Sequence, residues 1–155
     1  MLWLAESRRG LNAALHREGD PDASFVFAQM EALCPQPDLD AFMDGLQKRA
    51  TFVRMWMDFF ERFPVAITPV SGELPFRDQE DVESPAAFRR IMDAQLTQVG
   101  LPLMGLPGLT VTTGLVGTVP VGVQLLAGRY REDLLLRAGA AIEAAGVPAS
   151  PVDPA

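Results

Sequence analysis

Nucleophilic catalysis needs a nucleophile with a base in hydrogen-bond reach. The sequence offers five serines, Ser7, Ser24, Ser71, Ser84 and Ser150, with one histidine, His16, and one lysine, Lys48. Ser84 stands before Pro85, the pairing that starts a helix, and reads as an N-cap. Ser150 lies in a proline-rich end, and Ser7 falls on a helix surface. Only Ser71, beside Gly72 after an apolar run, has the context of an active-site residue, and Ser-Gly also makes turns for purely local reasons. The turn is the reading adopted. His16 and Lys48 fall within helical patterns with no motif around them. Glu73, Asp78, Glu80, Asp81 and Glu83 crowd one polar stretch, which reads as a solvated acidic loop, since tuning a carboxylate for acid–base work needs burial. Gly105-x-x-Gly108 and Gly114-x-x-Gly117 carry no following Lys-Ser/Thr and open no helix, so they do not read as phosphate loops.

The single cysteine, Cys34, excludes an intrachain disulfide and reads as a small buried hydrophobe or loop thiol. With one histidine and no CxxC pair, no zinc site is expected, and nothing points to another metal or a cofactor. A formal charge of -7 over 155 residues argues against nucleic acid, whose binding rests on Lys and Arg meeting phosphates. No apolar run reaches the roughly 20 residues of a membrane span. Met1-Leu2-Trp3-Leu4 runs at once into Glu6, Arg8 and Arg9, so no secretory leader is expected and the setting expected is cytoplasmic.

The elements around these residues follow from spacing. Leu4, Leu11 and Leu15 predict a first helix ending near Gly19-Asp20-Pro21, and Asp22 would cap a second one stopped by Pro35 and Pro37. Leu39, Phe42, Leu46, Ala50, Val53, Met57 and Phe60 form one apolar stripe on a long helix ended by Pro64. Trp56, Phe59 and Phe63 make its last turns apolar nearly all round, which predicts burial on more than one side. Val65–Thr68 reads as a buried strand, and Ser84–Val99 as a helix ended by Gly100. Leu101–Gly108 is too rich in Pro and Gly for a helix. Leu109–Thr113 and Val121–Ala127 read as strands around a Gly114–Pro120 turn, with Val121, Val123 and Leu125 on one face and Gly122 and Gln124 on the other. Glu132 and Asp133 open a last helix ending at Gly146. The expected organisation is one α/β domain over 1–146 and a loose tail over 147–155, whose three prolines discourage regular structure.

Four segments of the second half carry a family likeness. Gly105-x-Pro107 leads a strand, Pro120-x-Gly122-x-Gln124 lies on the next, and Glu132-Asp133-x-Leu135-Leu136 opens the closing helix. Upstream, Val65-Ala66-Ile67-Thr68-Pro69 follows the long helix. In this order and spacing, over roughly residues 40–145, the chain resembles the C-terminal part of amidase-signature enzymes. Val70 departs from the Thr more usual after that proline, and Thr112-Thr113 stand where the family more often has Pro.

The resemblance implies part of a mixed, twisted sheet packed with amphipathic helices. It implies a hydrolase that cleaves carboxamides through an acyl-enzyme. The Ser-Ser-Lys set belongs to a Gly/Ser-rich segment that would lie further toward the N-terminus, and no residue here matches it, so no catalytic residue is assigned and the chain alone is expected to be inactive. Strand-end loops are usual places for ligand contact. In the family these loops lie near the acyl pocket, so Thr68, Pro69, Val70, Met104 and Leu106 are the candidates for substrate contact. The expected partners are an amide substrate and the N-terminal part of an amidase. Three strands would leave an unpaired edge, so self-association is also expected. Two other readings stay open: a stand-alone binding or scaffolding domain of this descent, and part of a glutamine-hydrolysing amidotransferase.

Overall fold

The computed structural model describes residues 2–146, apart from the side chain of Trp3; the expected tail over 147–155 lies outside the described residues. Contacts divide the described chain into two compact units, one of residues 2–51 with 76–93 and one of residues 52–75 with 94–146.

The first unit contains α1 (Leu2–Glu18), α2 (Pro21–Leu33), the first half of α3 (Leu39–Arg62) and α4 (Pro85–Ala94). Its buried apolar residues include Leu4, Phe27, Phe88 and Ile91. Gly19, in the left-handed region, ends α1 and donates to the Leu15 carbonyl. The cap of α2 is Asp20 and not Asp22: Asp20 Oδ1 accepts from the backbone of Asp22 at 2.8 Å and of Ala23 at 3.2 Å. Pro21 explains the shift, since proline favours the first helical position and hands the cap to the residue before it. Arg8 ties α1 to the end of α2, donating to Glu31 at 2.8 Å and to the Cys34 carbonyl at 2.7 Å. Ser84 caps α4 as expected, accepting from the Ala87 N–H.

The acidic stretch is more organised than a solvated loop. Glu80 opens a single 3-10 turn, Glu80–Val82, and its side chain is only 14% exposed. It accepts from the Arg77 backbone at 2.9 Å and pairs with the guanidinium of Arg90. The Arg77 N–H is the largest influence holding its carboxyl below the usual glutamate range, with the two nearby guanidinium charges acting the same way.

The second unit is a three-stranded sheet with helices on both faces. Strands β1 (Val65–Pro69), β2 (Gly108–Val116) and β3 (Val119–Ala127) lie in the order β1-β3-β2, and both pairings are antiparallel. Period-two alternation sorts the side chains of β3. Leu125 and Ala127 join Val111 on the face covered by Leu135, Ala138 and Ile142 of α6 (Glu132–Ala144). Leu126 points the other way, onto Phe60, Trp56 and Met57 of α3 and Leu101 and Met104 of α5 (Leu96–Met104). A Cβ on Gly139 would fall 2.7 Å from the Leu109 side chain, so a glycine there lets α6 lie close on β2.

Four sequence expectations change. The helix expected from Ser84 to Gly100 breaks at Gln95, and Leu101–Met104, expected to be non-helical, completes α5. The break has a tertiary cause: the Ala94 carbonyl accepts from the Gly72 N–H at 2.7 Å and the Ser71 hydroxyl at 3.4 Å. Pro102 is accommodated near the helix end, where Gly105, with φ 63°, closes the last turn. The Gly114–Pro120 turn shrinks to Gly117-Thr118, because β2 passes through a bulge at Thr113 and continues to Val116. Lastly, the last turns of α3 are covered on one side only among the described residues: Phe60 is buried, whereas Phe59 and Phe63 are exposed.

Candidate substrate-side site

The end of β1 is held from three directions. Thr68 pairs with Gln124 across the β1–β3 ladder, and Gln124 Nε2 donates to Thr68 Oγ1 at 3.3 Å. The same amide nitrogen donates to the Thr97 carbonyl at the start of α5, at 3.1 Å. Two residues on, the Val70 carbonyl accepts from Thr97 Oγ1 at 3.1 Å and from Gln98 Nε2 at 2.6 Å. Gln124 is 6% exposed, and a buried amide needs partners of this kind. Thr68–Val70 is therefore a fixed strand end, strapped to the first turn of α5.

Met104 and Leu106 lie at the other end of that helix. From Thr97 to Met104 the axial rise is about 10 Å at 1.5 Å per residue. The Met104 carbonyl is clamped by Arg129, whose Nε and Nη2 donate at 3.1 and 2.6 Å. Leu106 is 7% exposed and packs with Phe60 and Leu126, and Met104 packs against the same cluster. The five candidates thus form two groups at opposite ends of α5. The signal for Gln124 was visible in sequence, as a polar residue within an apolar strand. Thr97, Gln98 and Arg129 carried no such signal, because each reaches a backbone carbonyl that only the fold brings near.

Ser71 serves the turn, the reading adopted from its Ser-Gly pairing. Its hydroxyl accepts from the Glu73 N–H at 3.2 Å and faces the Ala94 carbonyl. Gly122 marks a close approach of two neighbouring strands. A Cβ there would sit 2.4 Å from the Val111 carbonyl oxygen of the neighbouring strand, beside the β2 bulge. A separate cleft of about 560 Å³ in the first unit, lined by Arg8, Asn12, Glu31, Gln36 and Phe42 among others, includes none of the five candidates. Among the described residues no group of His, Cys, Asp and Glu could hold a metal ion, and no helix is long and apolar enough to cross a membrane.

The chain belongs to the amidase family, whose model matches residues 23–136. It is 40% identical over 107 residues to an indoleacetamide hydrolase of Bradyrhizobium japonicum, a match covering 68% of this chain and 23% of that one. It is 30% identical over 102 residues to one of the subunits of the glutamyl-tRNA(Gln) amidotransferase of Desulforudis audaxviator, covering 66% and 20%. The solved structure of 6-aminohexanoate cyclic dimer hydrolase in complex with substrate shares the fold, with a TM-score of 0.58 at 23% identity, over 78% of this chain and 27% of the other. The chain therefore spans only about a quarter of the length of such relatives.

Proposed function

We propose that this chain works as the C-terminal portion of a carboxamide-hydrolysing amidase, joined to an N-terminal part that carries the Ser-Ser-Lys set. In that reading the serine attacks the amide carbonyl, the C–N bond breaks with loss of ammonia or amine, and water releases the acid from the acyl-enzyme. The residues here would shape the acyl side: Thr68–Val70 as a fixed edge, Met104 and Leu106 as the apolar backing of the wall. The observation that carries this is the strapping of Thr68–Val70 by Gln124, Thr97 and Gln98 in a chain of amidase family. Positioned groups of this kind are what make a substrate wall rigid.

The amide favoured is a primary carboxamide with a bulky apolar acyl group, since the higher identity is to a relative named for indoleacetamide. The glutamine-hydrolysing branch is supported by lower identities, near 30%. By itself the chain would lack turnover and would reside in the cytoplasm, and only at micromolar concentration would it self-associate, weakly, through its open strand edges and bare apolar surface. The test is a chimera in which residues 23–136 replace the matching segment of the Bradyrhizobium japonicum hydrolase. Hydrolysis of indole-3-acetamide is expected. A folded chimera that hydrolyses neither this nor any simple carboxamide would count against the reading and favour a scaffolding domain. The purified chain alone should be silent, since losing a nucleophile or base costs on the order of 10^6 in kcat. Turnover abolished by Ser71→Ala would reverse that.

A further inference from the structure

The second half of α3 presents two different faces. Trp56, Met57 and Phe60 pack toward the sheet, with Trp56 and Phe60 stacked at 5.5 Å between ring centroids. Phe52, Met55, Phe59 and Phe63 recur at steps of three and four, so they line one side of the helix, and all four are exposed. Phe59 and Phe63 already lie ring against ring, 5.1 Å apart. The chain then enters β1, an edge strand whose one paired strand among the described residues is β3. Edge strands are ordinarily protected by charge, proline or cover. Here the strand reads Val-Ala-Ile-Thr-Pro, with Pro69 at its end as the only such device.

We infer that the Phe52–Met55–Phe59–Phe63 stripe and the free edge of β1 are the docking face for the rest of an amidase fold, the part bearing its catalytic segment. This rests on the function proposed above and says where the two parts meet. Contiguous apolar patches beyond a few hundred Å² seldom stay bare on a soluble protein. The matched segment makes up 20–27% of the relatives, so some three quarters of each of those chains lies outside it. Among the described residues the edge strands β1 and β2 each pair with β3 alone, so the sheet has room to continue into such a remainder. A second copy fits less well, because it would bring together two chains of formal charge -7.

Methionine oxidation by dilute peroxide, read by mass spectrometry, tests this on the free chain and on the chimera at nanomolar concentration. Met55 is 59% exposed, and Met57, packed against the core, is the internal reference. Met55 should oxidise about tenfold more slowly in the chimera than in the free chain, with Met57 slow in both, since susceptibility follows exposure. Equal rates at Met55 in a chimera that hydrolyses amides would overturn the docking face and leave the proposed function standing. Protection of Met55 that disappears on dilution would assign the face to a second copy and overturn it as well. A chimera with no hydrolysis removes the functional reading and this inference together.

Discussion

Gln124 and Thr68 face each other across the β3–β1 ladder, and the Gln124 amide joins the Thr68 hydroxyl to the Thr97 carbonyl of α5. One buried side chain thus couples a strand end to a helix start. Gln124→Leu keeps the approximate volume and removes both donations. Leaving such buried groups unmatched should cost about 1–3 kcal/mol, measured by urea denaturation. A loss indistinguishable from that of an exposed substitution such as Leu136→Gln would show that the coupling contributes little.

Gly122 and Gly114 lie on neighbouring strands but should respond oppositely to alanine. At Gly122 the new Cβ would meet the Val111 carbonyl oxygen at 2.4 Å, a backbone atom that cannot swing away. At Gly114 nothing lies within 4 Å. Gly122→Ala should destabilise by about 3 kcal/mol or more through overpacking. Gly114→Ala should be neutral or stabilise by a few tenths of a kcal/mol, as removing glycine restricts the unfolded chain. Thermal melts of the two variants side by side decide it, and similar shifts would contradict the geometry.

Glu80 makes stability depend on acid. Its folded carboxyl is held below the ordinary value of 4.5, first by the Arg77 N–H, so the unfolded chain binds the proton more readily. The stabilisation is present in full above about pH 4.5 and drains away as the pH falls through the lower, folded value. Glu80→Gln should flatten that part of the profile, measured by denaturant titration from neutral to acid pH. An unchanged slope below pH 4.5 would mean that other carboxylates account for it.

Met104 offers a test of the substrate wall. In the active chimera, Met104→Ala should lower kcat/KM unequally, more for bulky acyl groups than for acetamide. Its carbonyl, held by Arg129, is unaffected by the change, so the effect belongs to the side chain. Equal losses on small and bulky amides would mark Met104 as ordinary core beneath Leu126 and Phe60.

Local rules, legible in the order of residues, account for much of this chain. Alternation along Val121–Ala127 sorted β3 into two faces, Ser84-Pro85 set the start of α4, and the spacing from Leu39 to Phe60 set α3. The ordered motifs around Pro69, Pro107, Gly122 and Glu132 were enough to place the chain in its family. Folding in three dimensions was needed wherever a backbone group found its partner far along the chain. Ala94 offered its carbonyl to Gly72 and Ser71, which split one expected helix into α4 and α5. The same long-range bonding recruited Thr97, Gln98 and Arg129, residues that only a folded chain can bring to the carbonyls of Val70 and Met104. Periodicity marks which residues are apolar on a helix face, but not which of two apolar faces the sheet will cover. For α3 the sheet took Phe60 and left Phe59 and Phe63 exposed, because a helix lying on one sheet can bury only one side of itself against it.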